Sequence, residues 1–203
     1  MEQLSELHLD ALTEVFNIGA GRAAASLSEI VGDEVKLSVP SIEIKKTVEA
    51  DATIIALNSA RFGAVSQHFS GPFDAQAVLL FTEDHALEIM RDMMGSQMSI
   101  DELAEFEQEA MCELGNIILN ACLSAMADML QISLSSSLPT YKIATSDEIF
   151  KEVSEAQDQP FILVLHIDLT IEKHHSEGNL IFLLSSTSLS KLIKQIEQYL
   201  GGI

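Results

Sequence analysis

The sequence predicts an α/β layered sandwich with an internal pseudo-two-fold repeat. Its central sheet should be largely antiparallel, with two long helices side by side on one face. Three observations lead there. Asp10, Glu14, Asn17 and Pro40 recur as Glu109, Glu113, Asn116 and Pro139, every member displaced by 99 positions. Each copy opens a stretch of helical period that gives way to alternating, strand-like segments. Each half then closes in a short amphipathic stretch ending at glycine, Glu83 to Met94 before Gly95 and Ser188 to Leu200 before Gly201, where Gly marks a helix C-terminus. A single domain with halves of about 1–98 and 99–203 accounts for all three.

The elements follow in order. At about 100° per residue, Leu9, Leu12, Val15, Phe16, Ala23, Leu27 and Ile30 share one side of the first helix, the core face. Asp10, Thr13, Glu14, Asn17, Gly21, Ala24 and Ser28 share the other. Leu37 to Ile44 reads as extended with a proline inside, and Ala52 to Leu57, Phe62 to Phe69 and Gln76 to Phe81 as strands, with Gly71-Pro72 as a turn. The junction between halves falls near Gly95 to Asp101. In the second long helix Met111, Leu114, Ile118, Cys122, Ala125 and Met129 form the core stripe, opposite Glu109, Glu113, Asn116, Asn120 and Ala127. Leu134 to Ile143 repeats the proline-containing extended segment. Thr145 to Gln159 reads as a polar loop. Phe161 to Ile171 and Asn179 to Leu184 read as strands about a turn at Glu177-Gly178-Asn179.

A chain of 203 residues can bury a real core without disulfides. With 47% hydrophobic residues and no Trp, aliphatic side chains must fill it. Cys112 and Cys122 stand ten residues apart on one helix, roughly 15 Å at 1.5 Å per residue, too far for a disulfide. The net charge of −20 repels phosphate backbones and anionic lipid. Nucleic-acid and membrane-surface binding are therefore disfavoured, and protein partners with a basic patch are the fitting targets. No run of about 18 apolar residues suggests a span, and Met1 to Asp10 lacks the basic start of a secretory signal. The expected address is the cytoplasm.

In each long helix Glu and Asn lie three apart and so are surface neighbours. A lone Glu-x-x-Asn is usually a solvated face. Asn is an indifferent helix former, and keeping one mid-helix twice, three after a Glu and 23 before a Pro, points to a site.

These residues resemble the CheC phosphatase family of bacterial chemotaxis, whose signature is Asp or Ser, three residues, Glu, two residues, Asn, twenty-two residues, Pro. Asp10, Glu14, Asn17 and Pro40 match it fully. Glu113, Asn116 and Pro139 match in the second copy, with Glu109 where Asp or Ser is usual. Asn17-Ile18-Gly19-Ala20-Gly21 and Gly115-Asn116-Ile117 are also typical, whereas Phe16 and Arg22 depart from the pattern. Two Glu–Asn pairs resemble CheC more than its single-site relative CheX. The resemblance implies hydrolysis of the aspartyl-phosphate on a CheY-like response regulator. Asn17 and Asn116 would orient the attacking water, and Glu14 and Glu113 would contact the regulator's Lys. Mg²⁺ would belong to the regulator, and no metal to this chain. It also implies an alternative, a non-catalytic adaptor for the receptor deamidase CheD, bound near Ser188 to Leu200, or for the flagellar switch. A metal-dependent hydrolase is a third class. His166, His174 and His175 lack the helical spacing of metalloprotease ligands and read as surface turn residues. Gly19-Ala20-Gly21 sits within a helix, so it serves close packing rather than a phosphate loop.

Overall fold

The computed structural model describes residues 4–46, 61–94, 100–155, 160–171 and 174–201. The chain runs α1 (Glu6–Val31), β1 (Val35–Lys46), β2 (Arg61–Ser70), β3 (Ala75–Thr82), α2 (Glu83–Met94), then α3 (Ile100–Leu130), β4 (Ser135–Ser136), β5 (Thr140–Thr145), α4 (Ser146–Glu155), β6 (Phe161–Ile171), β7 (His174–Leu184) and α5 (Ser186–Gly201). The predicted strand Ala52 to Leu57 and the glycine stop at Gly95 lie outside the described residues.

One seven-stranded sheet runs β1-β6-β7-β3-β2-β4, with β5 also on β2, and every pairing is antiparallel. The order is the same from either end if the halves are exchanged. β3 and β7 pair at the centre, β2 and β6 flank them, and β1 and the β4–β5 segment each close the edge beside the other half's strand.

The main core lies between the sheet and α1, α2, α3 and α5. Leu12, Val15, Phe16, Ala23 and Leu27 of α1 are buried as expected, with the Phe16 ring centroid 5.6 Å from that of Phe182 on β7. Two assignments change. Ala24, expected on the polar side, is buried, and Ile30, expected in the core, is 46% exposed in the last turn. A methyl group carries too little hydropathy for periodicity to place it.

A second, smaller core on the other face joins Phe62, Leu80, Ile162, Val164 and Ile181 to Ile149 of α4. This corrects the expected loop at Thr145 to Gln159. Residues 146–155 form a helix and add a third layer. A capping box starts it. The Thr145 N–H donates to Glu148 Oε2 at 2.8 Å, and the Glu148 N–H donates to Thr145 Oγ1 at 3.3 Å. The hydrogen bond from the Thr145 backbone holds the Glu148 carboxyl below its usual range. β7 is also longer than expected. Glu177, Gly178 and Asn179 are not a turn but lie inside it, all three paired to β6 and the last two also to β3. A Cβ on Gly178 would fall 2.6 Å from Phe81 Cε1, so this glycine marks a close approach within a strand.

The long helices meet at Gly19, where a Cβ would lie 2.5 Å from the Cys122 Cα. Arg22 Nη1 adds an exposed bond to Asp128 Oδ2 at 2.7 Å. Gly21 has open space around it, so of the two glycines only Gly19 serves the helix contact. Both cysteines are free, and burial pushes the Cys122 thiol up to about 12. By length and composition the Phe106–Leu130 stretch of α3 could cross a membrane. Here its apolar face is core, with Leu114, Ile118 and Leu119 fully buried.

The helices also stop alike. Gly32 (φ 77°) ends α1 and Gln131 (φ 54°) ends α3, both left-handed. A side chain is strained there, so Gln131→Gly should stabilise the fold by about 1 kcal/mol. Gly19→Ala, by contrast, should cost about 1–3 kcal/mol through overpacking. Urea unfolding midpoints at unchanged slope would check both.

Candidate functional site

Each repeated proline sits on a β-bulge. Between β1 and β6 the register jumps, with Ser38 opposite Asp168 and Ser41 opposite His166, so Val39 and Pro40 face the single residue Ile167. On the other edge Ser136 pairs with Phe69 and Thr140 with Ser66. Ser137, Leu138 and Pro139 therefore face only Gln67 and His68. Proline has no N–H to give a ladder and is tolerated at bulges. A bulge also leaves backbone groups without ladder partners, and the helix above must deal with them.

In the first half Asn17 does so. Its Oδ1 accepts from the Val39 N–H at 2.9 Å, and its Nδ2 donates to the Val39 carbonyl at 2.9 Å and to Thr13 O at 2.9 Å. Val39 is 1% exposed, so without Asn17 both of its main-chain groups would be buried and unpaired. The spacing from Asn to Pro thus has a geometric meaning, because it sets the amide against the residue before the proline.

The second half is arranged differently. Asn116 Oδ1 accepts from Asn120 Nδ2 at 2.6 Å, and Asn120 Nδ2 also donates to Asn116 O at 2.9 Å. Asn116 makes no bond to the bulge among the described residues. Its Nδ2 is uncommitted there, and Oδ1 keeps a second lone pair. The bulge is held from the sheet instead. Gln67 Nε2 donates to Ser137 O at 2.7 Å, the His68 N–H donates to Ser137 Oγ at 3.0 Å, and the Ser137 N–H donates to His68 O at 2.9 Å. Leu138 is thrown outward, 88% exposed.

Asn116 and Glu113 line an open groove of about 790 Å³ between α3, the end of α2 and the bulge, with Met93, Met94, Phe106 and Pro139 as apolar walls. Glu109 and Cys112 line it too. Glu14 and Glu113 are both exposed and make no ion pair or hydrogen bond among the described residues. Asp10 and Glu109 are exposed one turn earlier on their helices. The structure thus exposes the four acids of the repeated pattern, half-buries both Asn and sets both Pro at bulges, and the second Glu–Asn pair lines the groove with an Asn Nδ2 that has no partner among the described residues. Gln67 was not among the residues read as functional. A Gln within a strand facing a helix layer, where apolar residues belong, is the signal that could have found it.

The histidines also find their places. His175 lies within β7 rather than in a turn and meets Thr170 Oγ1 at 3.2 Å. His174 begins the same strand, and His166 is half-buried on β6. Ligand atoms of Asp168, His175 and Glu177 lie within 4.8 Å of one another at the exposed end of the sheet, away from the groove.

The antiparallel sheet under two long helices defines the fold class, and the same fold occurs in solved structures of chemotaxis and flagellar-switch proteins. The profile of the CheC-like family matches residues 7–44, the stretch from α1 into β1. Over 198 residues, 93% of each protein, the chain is 23% identical to the CheY-P phosphatase CheC of Bacillus subtilis (strain 168). The crystal structure of Thermotoga maritima FliY superposes with a TM-score of 0.79 at 21% identity, covering 98% of this chain and 100% of that one. A chain of the CheX–CheY–BeF3–Mg²⁺ complex from Borrelia burgdorferi superposes at 0.50 and 14% identity, covering 85% and 97%. The chain is thus similar to the CheC-like family.

Asn17→Ala should destabilise the protein by about 2–3 kcal/mol, the cost of orphaning buried main-chain groups. Asn116→Ala should cost less, about 1 kcal/mol or below, because it removes only the bond from Asn120, whose Nδ2 keeps Asn116 O. Thermal and urea unfolding of the two variants side by side would check the difference.

Proposed function

We propose that this chain hydrolyses the aspartyl-phosphate of a CheY-like response regulator in the cytoplasm, with the second Glu–Asn pair carrying most of the turnover. The observation that carries this reading is the half-buried Asn116 amide, which lines an open groove beside Glu113 and whose N–H₂ makes no hydrogen bond among the described residues. Support for the substrate class comes from the name of the Bacillus subtilis relative and from the CheX structure in complex with CheY, BeF3 and Mg²⁺.

The chemistry suits the residues. Water attacks phosphorus, the P–O bond to the aspartyl carbonyl breaks, and free carboxylate and inorganic phosphate leave. An acyl phosphate is already activated, so the need is to hold water in line and offset charge. The second lone pair of Asn116 Oδ1 accepts a hydrogen bond from the water, and Nδ2 can donate to a phosphoryl oxygen. Asn120 fixes the plane of the amide. Glu113 receives a charge-assisted bond from the regulator's active-site Lys. Mg²⁺ travels with the regulator. Leu138, Phe106, Met93 and Met94 offer apolar contact around the groove. Glu14 and Asn17 can perform the same steps only after Asn17 surrenders Val39, which makes theirs the slower site.

A second reading, supported by the likeness to FliY, is a non-catalytic component of the flagellar switch or an adaptor for CheD through α5. Release of phosphate separates the two, since an adaptor leaves the decay of phosphorylated regulator unchanged.

In that assay Asn116→Ala should slow the accelerated decay by roughly a hundredfold, and Glu113→Ala should weaken regulator binding roughly tenfold or more. Asn17→Ala should have the smaller effect on turnover. A double Asn17→Ala, Asn116→Ala variant that still worked as well as wild type would overturn the mechanism.

A further inference from the structure

We infer that Gln67 is a positioning residue for Asn116, holding the second proline bulge off the helix so that the Asn116 amide stays uncommitted. The inference rests on the reading of Asn116 as the water-orienting group and extends it to a residue outside the repeated pattern. Three observations carry it. The two bulges occupy equivalent edges of the sheet, yet the residue opposite the first is Ile167, buried and unable to hydrogen-bond, whereas Gln67 and His68 stand opposite the second. Where Ile167 stands, the helix Asn is drawn into bracing the bulge. Where Gln67 stands, its Nε2 takes Ser137 O and the helix Asn makes no bond to the bulge among the described residues.

Gln67 is also an expensive choice for structure alone. Its side chain is 2% exposed on the helix-facing side of β2 that it shares with Val65 and Phe69, and its Oε1 has no hydrogen-bond partner among the described residues. The orientation is not arbitrary, because a flipped amide would set Oε1 against the Ser137 carbonyl. An aliphatic residue there would avoid the orphaned oxygen, as Ile167 does on the other edge. Buried polar groups kept at a cost to packing mark constraints other than stability.

Gly115 completes the arrangement. A Cβ there would fall 2.4 Å from Val65 Cγ1, so α3 rides directly on β2 immediately before Asn116. Its counterpart in the first copy, Phe16, packs instead on Phe182 of β7. The helix that bears the uncommitted Asn is thus seated on the strand that bears Gln67.

The test uses Gln67→Met, close in shape and without the donor. Freed from Gln67, the bulge should relax onto α3 and Leu138 should take the Asn116 amide as Val39 takes Asn17. The side-chain amide resonances of Asn116, identified by their loss in Asn116→Asp, should then shift while those of Asn17 stay in place. The melting temperature should hold or rise. In the dephosphorylation assay Gln67→Met should lower turnover roughly tenfold to a hundredfold, and should do nothing further in an Asn116→Ala background. Unmoved Asn116 resonances, or equal losses with and without Asn116, would overturn the role of Gln67. Shifted resonances in a protein that never accelerates decay would uphold the positioning and reject the phosphatase reading instead.

Discussion

The two proline bulges impose the constraint on which the rest of the structure depends. Each edge of the sheet crosses from one half to the other, so the β1 and β4–β5 segments must join strands of the opposite half while staying under their own long helix. The extra residue that bends each segment breaks the ladder, and proline removes a donor at the same spot. Buried main-chain groups must be paired. A side chain from the helix above or from the strand alongside has to supply the missing bonds. The first half draws on the helix through Asn17, and the second on the strand through Gln67 and His68.

Much of this was legible in the sequence for physical reasons. The core stripes of α1 and α3 follow from helical period, since Leu12, Val15, Leu114 and Ile118 are large enough to dominate it. Gly19 was legible as a packing residue because glycine inside an amphipathic helix is otherwise a liability. The repeated Glu, Asn and Pro were legible because their spacing recurs, and in the first half the Asn-to-Pro spacing is set by the contact of Asn17 with Val39. What escaped has causes too. The helix at 146–155 is short and mostly polar, with only Ile149, Phe150 and Val153 to mark an apolar side. Its Thr145-to-Glu148 capping box was nonetheless there to be read. Gly178 looked like a turn because a glycine that admits Phe81 and a glycine that bends the chain are the same letter. The roles of the two asparagines could not be separated from sequence at all. That difference lies in Gln67 and Ile167, residues far from either asparagine along the chain.

The departures from the repeated pattern therefore carry as much information as the pattern. Phe16 precedes Asn17 where Gly115 precedes Asn116. The larger residue seats α1 against Phe182 of β7, while the glycine seats α3 against Val65 of β2. A change before each Asn and a change opposite each bulge thus alter together what the amide meets.

The same logic bears on why a chain would hold two similar pairs and bond them differently. A half whose Asn is bound to the bulge gains two buried hydrogen bonds and loses an uncommitted amide. A half whose Asn stays uncommitted must find its bracing elsewhere and accept an orphaned Oε1 on Gln67. Stability and an available functional group compete at one position. With two copies the competition can be resolved by division, one amide serving the fold and the other serving the groove. On this argument the first pair is no relic. Its amide braces the bulge at the edge formed by β1, while the second edge carries an outward-turned bulge with Leu138 at its tip.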